Sequence, residues 1–349
     1  MTEQVAVVRG DIFLRHDPGW GHPESPERLV SIYGLLDQSG LAKDLKQVKL
    51  YRASKAEICL VHSEDLYHTV ENTAGRNGVY LDGDTSTSPE SFEAALYAAG
   101  SLINAVDEVL AGRLKSCFAL VRPPGHHAER DQSMGFCLFN NVAIAAAWAL
   151  KEKGLKRILI ADFDVHHGNA TQHSFYDTDQ VLYMSTHRYP FYPGTGHFSE
   201  TGAGKGKGFN LNVPLPGGMG DNEFDTVYTK VLMPVARDYQ PELILVSAGF
   251  DAYHKDPLGG MAVTEAGFGR LATIFIALAR ELCNDRLVFT LEGGYSIDGI
   301  ARCVEETLLQ MLGKKPAVGP LGKPVEGFER VLKEVVKYQK QYWKELGDD

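Results

Sequence analysis

The chain has 349 residues, 44% of them hydrophobic, and a formal net charge of −10. That length exceeds the usual size of one compact core, but large α/β enzymes keep such chains in a single domain. The acidic balance argues against a nonspecific nucleic-acid binder, which carries a basic face, and suits a cationic partner such as a lysine-rich peptide or a polyamine. In chain order, HDPGWGHPESPERL (residues 16–29) is too rich in Pro and Gly for regular structure. It is expected to form a loop at a pocket mouth, with SPERL opening a helix. A strand is expected over 47–51, a helix over 88–112 from a Ser-Pro cap to Gly112, and a strand over 117–121. The Ala-rich stretch 139–154 predicts a helix ending at Gly154, followed by strands over 157–164 and 181–186. The Gly-rich stretch 194–208 lacks the spacing and context of a phosphate loop and is expected to be a mobile loop beside the pocket. A strand over 209–213 precedes a helical pattern over 221–239, in which Pro234 predicts a kink or break. A strand over 243–248, a helix from the capping Thr264, a strand over 287–291 and a charged amphipathic helix over 324–346 complete the pattern. Strands alternating with helices predict a three-layer α/β/α fold with a mostly parallel sheet covered on both faces.

The apolar run RILIADFDV ends by placing Asp162, Asp164, His166 and His167 close together. Side chains alternate along a strand, so Asp162, Asp164 and His166 are expected on one side and His167 on the other. Three ionisable groups emerging together from an apolar strand are costly unless paired. A divalent cation would pair them, and carboxylate plus imidazole suits zinc or ferrous iron. A solvated strand end is the alternative. Three further apolar runs follow the same grammar, leading to His126 and His127 in RPPGHHAE, to Asp251 in SAGFDAYHKDPLGG, and to Glu292 and Tyr295 in LEGGYS. In parallel α/β sheets, sites gather outside the carboxyl ends of the strands. His167 is read as structural, Asp256 as a turn residue before Pro257, and Cys137 as a small buried hydrophobe.

Together RPPGHHA, DFDVHHGN, STHRYPFYPGTG, AGFDAYHKDPLGG and LEGGY resemble the histone deacetylase family of metal-dependent amidohydrolases, over nearly the whole chain. That family includes acetylpolyamine amidohydrolases and acetoin-utilisation proteins. Asn169 and Glu292 resemble its class II branch. The resemblance implies an arginase/deacetylase-like fold, with Asp164, His166 and Asp251 as metal ligands, and His126 and His127 as tandem catalytic histidines. It implies Asp162 behind His126, Asn169 behind His127, and Tyr295 as the hydroxyl facing the reacting carbonyl. Phe136 and Tyr192 would line a narrow tunnel, where the family more often has Phe at the second position, with Leu258 at the mouth. It further implies a structural potassium ion held by Asp162, Asp164, His166, Ser185 and Thr186, largely through backbone oxygens.

These residues suit hydrolysis of an acylated amine. A metal with three protein ligands leaves positions for water and a carbonyl oxygen. Two anionic ligands leave the metal less electron-poor, so a base is needed, and histidine titrates near working pH. His127 would be that base, while His126, braced by Asp162, would act electrostatically. The leading expectation is a zinc-dependent deacetylase acting on acetyl-lysine-like substrates, as one domain over 1–349. An acetylpolyamine amidohydrolase is the second reading. Leu258 argues against it because polyamine-preferring relatives carry an acidic residue there, although Asp82 or Asp84 could serve. A catalytically dead binder of acylated ligands is the third. Five scattered cysteines without a C-x-x-C pair argue against a disulfide framework. The opening MTEQVAVVRG lacks the features of a secretory signal, and no apolar run approaches a membrane span. A reducing cytoplasm is the expected compartment, and no segment marks an oligomer interface.

Overall fold

Short apolar runs, strongest in Val, Ile and Leu, build the centre of the molecule. The computed structural model describes residues 5–315, 321 and 323–346. Its strands are β1 (Val5–Val8), β2 (Lys46–Gln47), β3 (Val79–Tyr80), β4 (Ser86–Thr87), β5 (Ser116–Ala119), β6 (Ile158–Asp162), β7 (Val181–Arg188), β8 (Asn210–Leu215), β9 (Leu243–Ala248) and β10 (Leu287–Leu291). Eight of them form one sheet in the order β2-β1-β5-β10-β9-β6-β7-β8. Every pairing in it is parallel. β3 and β4 form a separate antiparallel pair. The inner strands are buried on both faces, which explains why they read as continuous apolar runs. Helices cover both faces of the sheet, giving the expected three-layer α/β/α architecture.

The topology positions the site. All eight strands run the same way, so their carboxyl ends share one edge. β6, β7 and β8 step outward, and β9 and β10 then return to fill the space between β5 and β6. The loops after β5, β6, β9 and β10 therefore converge over the middle of the sheet, where open α/β folds bind ligands. Asp162, the last residue of β6, sits in register with Ser185 of β7 and Ser247 of β9.

Local signals worked where a specific group caps or breaks a helix. Asn140 accepts a hydrogen bond from Ala143 N and opens the helix Asn141–Glu152. Thr264 does the same for Gly267 N at the start of Glu265–Leu282. Pro234 cannot donate to the carbonyl one turn back, and the helix preceding it widens into a π turn at Tyr228–Leu232.

Several boundaries differ from the sequence expectation. The 47–51 strand is only Lys46–Gln47, because this edge strand pairs solely with the four-residue β1. β1 itself was not expected. The strand over 157–164 stops at Asp162, since the residues beyond it turn to bring Asp164 and His166 inward. The C-terminal helix covers Phe328–Gln339. The helix Ile297–Met311 was not anticipated; it begins two residues after Tyr295, preceded by Ser296, whose side chain makes no cap hydrogen bond. The Gly-rich stretch 194–208 is tied down by Glu200, whose carboxylate accepts from Gly196 N, His197 N and Gln172 Nε2. No helix among the described residues is long and apolar enough to cross a membrane.

Candidate active site

The turn after β6 is built by its own carboxylates. Asp162 Oδ1 accepts from Asp164 N at 3.1 Å, and Asp164 Oδ1 accepts from His166 N at 2.9 Å. These bonds, rather than continued strand alternation, aim Asp164 and His166 at the same point. Asp251, from the loop after β9, completes the group, and its Oδ1 accepts from Val165 N at 2.8 Å. One ligand atom from each of Asp164, His166 and Asp251 lies within 4.8 Å of the others. His166 Nδ1 is 3.1 Å from Asp164 Oδ1 and 3.1 Å from Asp251 Oδ2. Donors bound to a tetrahedral zinc at about 2.0–2.1 Å stand about 3.3 Å apart, so both the spacing and the ligand set fit a divalent metal.

Two further observations support that fit. Gly293 donates its N–H to Asp164 Oδ2 at 2.8 Å, and a Cβ there would approach Asp251 Oδ2 to 2.2 Å. The backbone after β10 thus leaves room that any other residue would fill. Burial and repulsion from Asp164 push the Asp251 carboxyl up to about 7. A cation would relieve that repulsion. Burial opposes the charge on His166, but hydrogen bonds to Asp164 and Asp251 outweigh it and raise the imidazole to about 10. A metal would take the place of the shared proton.

His126 and His127 stand beside this cluster with ring centroids 3.9 Å apart. His126 Nδ1 lies 3.1 Å from Asp162 Oδ2, and its Nε2 lies 3.8 Å from Asp164 Oδ2. His127 Nδ1 lies 2.7 Å from Asn169 Oδ1. His167 turns away, contacting Thr195 Oγ1 and Gln172 Oε1, and contributes nothing to the metal cluster.

The aromatic residues form the approach. Phe136 packs edge-on to Tyr295 at 5.8 Å, and Tyr192 edge-on to His127 at 5.1 Å. Phe136 has φ 68°, a region in which a bulky residue is strained. Gly135 beside it cannot carry a Cβ without meeting the His127 ring at 2.5 Å. Phe191 stacks on His166 at 5.4 Å under Arg188, a wall the sequence reading did not assign. Leu258 is half-buried in the turn organised by Asp256. His22, from the Pro/Gly-rich early loop, packs against Phe136 at 4.7 Å, which puts that loop at the mouth. Tyr295 is buried, with its ring edge-on to Phe136.

Near the suggested monovalent site, Thr186 Oγ1 and Tyr228 OH approach Asp162 O at 3.5 and 3.3 Å, while Ser185 Oγ pairs with His187 Nδ1.

Four residues support the site in ways the sequence reading did not assign to them. Asp256 is a turn residue, accepting from Leu258 N and Gly259 N, but its other oxygen accepts from Tyr295 N at 2.6 Å. Glu292 accepts from Gly125 N at 2.7 Å and His126 N at 3.2 Å, fixing the turn that carries the histidines. Arg28, fully buried, donates to the carbonyls of Glu292 and Gly294, and lies 5.1 Å from the Tyr295 ring. Glu24 bridges Arg28 and Arg122. A buried carboxylate between two guanidiniums stays ionised; burial raises the Glu24 carboxyl, but Arg122, His16 and Arg28 hold it well below its ordinary range.

Residues 22–311 match the model of the histone deacetylase domain. The chain is 40% identical to a probable deacetylase of Archaeoglobus fulgidus, covering 84% of this chain and 82% of that one. It is 38% identical to histone deacetylase 5 of Arabidopsis thaliana, over 99% of this chain but 55% of the relative, so it spans about half the length of that protein. The crystal structure of the HDA15 HD domain superposes with a TM-score of 0.93 at 35% identity, covering 99% of this chain and 97% of the other. With that fold, these motifs and these matches, the chain belongs to the histone deacetylase family.

Proposed function

We propose that the protein is a zinc-dependent amidohydrolase that removes an acetyl group from an acylated amine, with acetyl-lysine-like substrates preferred. The observation that carries this reading is the convergence of a buried Asp-His-Asp triad, a histidine pair and a buried tyrosine at the carboxyl edge of one sheet. Asp164, His166 and Asp251 would hold the metal, with ferrous iron as the alternative. Bound there, it would polarise the acyl carbonyl and lower the pKa of a water. His127 takes the proton from that water and returns it to the departing amine. His126, its Nδ1 directed at Asp162, supplies positive charge beside the reacting atoms. Tyr295 donates its O–H to the developing oxyanion. Phe136 and Tyr192 flank the aliphatic chain of the substrate. A potassium ion near Asp162, Asp164, His166, Ser185 and Thr186 would brace the turn after β6.

The acetylpolyamine reading has one observation in its favour. Burial, the nearby charge of Asp82 and a hydrogen bond to Asp82 raise the Asp84 carboxyl, and both acids act on Tyr192. An acidic pair at the rim would welcome a second cationic nitrogen.

The test compares an acetyl-lysine peptide, N-acetylputrescine and N-acetylspermidine, using metal-stripped and zinc-restored enzyme. Zinc-restorable hydrolysis favouring the peptide supports the leading reading, and preference for the polyamines transfers it to the second. Zinc-loaded protein that hydrolyses none of them would point to an unusual acyl substrate or to a binder of acylated ligands. Tyr295→Phe should keep fold and metal while turnover falls about 10² to 10³-fold.

A further inference from the structure

The hydrogen-bonded chain behind His127 does not stop at Asn169. Asn169 Nδ2 donates to Glu129 Oε1 at 2.5 Å. The same oxygen lies 2.8 Å from Nδ1 of His173, a half-exposed residue on the next turn of the helix Asn169–Ser174. Glu129 sits two residues after His127, and its backbone is fixed from both sides. Its N–H donates to Gln132 O, and its carbonyl accepts from His62 Nδ1 at 2.8 Å. The carboxylate is therefore held in one place while remaining a quarter exposed.

A side-chain amide can present either its oxygen or its NH2, and nothing in Asn169 alone decides which faces His127. Glu129 decides it. A carboxylate only accepts, so the NH2 must face Glu129. The weakly accepting sulfur of Met134, 3.8 Å from Nδ2, lies on that side too. Oδ1 must then face His127. Opposite an acceptor at 2.7 Å, His127 Nδ1 must carry the hydrogen. Nε2 is left with the lone pair. We infer that Glu129 is a positioning residue that sets the tautomer of His127, using the Asn169 amide as a polarity relay. The relay transmits direction without placing a second carboxylate against the imidazole. This inference rests on His127 being the base, because only then does a lone pair on Nε2 matter to turnover.

Reversing the polarity at residue 129 tests it. In Glu129→Lys the ammonium only donates, so the Asn169 amide should turn round and offer its NH2 to His127. The hydrogen then moves to Nε2. With 15N-labelled histidine in the zinc-loaded enzyme, His127 should change from the Nδ1–H to the Nε2–H pattern. On an acetyl-lysine peptide kcat should fall about ten- to a hundredfold, the scale of one hydrogen bond to a charged group. KM should hold, because the change acts on the chemical step. Glu129→Gln can still accept from Asn169 and should stay close to wild type in both measurements. If Glu129→Lys does not fold, Glu129→Ala gives the same reading, with both tautomers populated and an intermediate loss of kcat. An unchanged Nδ1–H pattern in the folded Lys or Ala variant would overturn the inference, as would an unchanged kcat. His127→Ala run alongside separates the two claims. Retained turnover there defeats the role of His127 as base, while the tautomer measurement still judges Glu129.

Discussion

His126 and His127 are neighbours in sequence, both buried, with rings in contact, yet their surroundings push their basicities in opposite directions. Burial disfavours the cation at both. At His126 that penalty is outweighed by Asp164 and by Asp162, which raise the imidazole to about 10. At His127 no carboxylate among the described residues is hydrogen-bonded to the ring; burial and the neighbouring His126 and His166 outweigh Asp164 and hold its pKa well below the ordinary range. The difference lies in Asp164 beside His126 Nε2 and in the residue behind each Nδ1, a carboxylate for one and an amide for the other. In the proposed mechanism one doublet would thus supply a fixed positive charge and a neutral base, two roles that a single environment could not give to identical side chains.

Removing each ring in turn is the strongest way to break this comparison. His127→Ala should lower kcat by about 10² to 10⁴-fold, the usual contribution of a positioned proton-transfer group. His126→Ala should lose less, because in the proposed mechanism it would stabilise charge without moving the proton. Equal losses, or the reverse order, in steady-state rates on a common substrate would mean that the roles are shared or exchanged. A smaller effect is expected when only the support is changed. Asp162→Asn leaves both rings but removes the carboxylate that favours His126 as a cation. Turnover should fall about 10- to 100-fold. The alkaline limb of the pH–rate profile should move to lower pH, since His126 would then lose its proton sooner. A profile that keeps its alkaline limb would separate that limb from His126.

Much of this was legible before any coordinates, for a definable reason. Asp162, Asp164, His166, Asp251 and Tyr295 each follow an apolar run, so the end of the strand marks them. Pro234 announced an irregularity in its helix, which takes the form of a π turn and not a break, because a missing N–H is a local fact. Glu129, Arg28 and Asp256 were not legible in the same way. Arg28 reaches carbonyls more than 260 positions away, and Asp256 has a sufficient local explanation as a turn residue. Glu129 looks like an ordinary surface acid beside the HH doublet. Its meaning depends on the amide orientation of a residue 40 positions on. Partnerships formed only by packing distant loops leave no period or spacing to read.

His62 sharpens the comparison from a third side. Like His127 it is a buried neutral imidazole that directs Nδ1 at an oxygen, here the carbonyl of Glu129. Unlike His127, its Nε2 is occupied, accepting from Asn140 N at 2.8 Å at the start of the helix Asn141–Glu152. A lone pair committed to a backbone N–H cannot serve as a base, so His62 is structural. Burial, which outweighs the two backbone hydrogen bonds, lowers its pKa to about 4 from an ordinary 6.5. The unfolded chain therefore takes up a proton at higher pH than the folded one. The stabilisation is complete above pH 6.5 and declines as pH falls toward 4. The decline attributable to this residue is at most about 3 kcal/mol. His62→Gln keeps an oxygen to accept from Asn140 and cannot titrate. The fall in unfolding free energy between pH 7 and 4.5, followed by urea denaturation, should be shallower in the variant. Turnover per folded molecule at pH 7 should fall less than in Glu129→Ala, because the Gln amide can also donate to the Glu129 carbonyl that His62 holds. Parallel pH dependences would show that the imidazole of His62 is not held neutral by the fold, and the contrast with His127 would then rest on Nε2 alone.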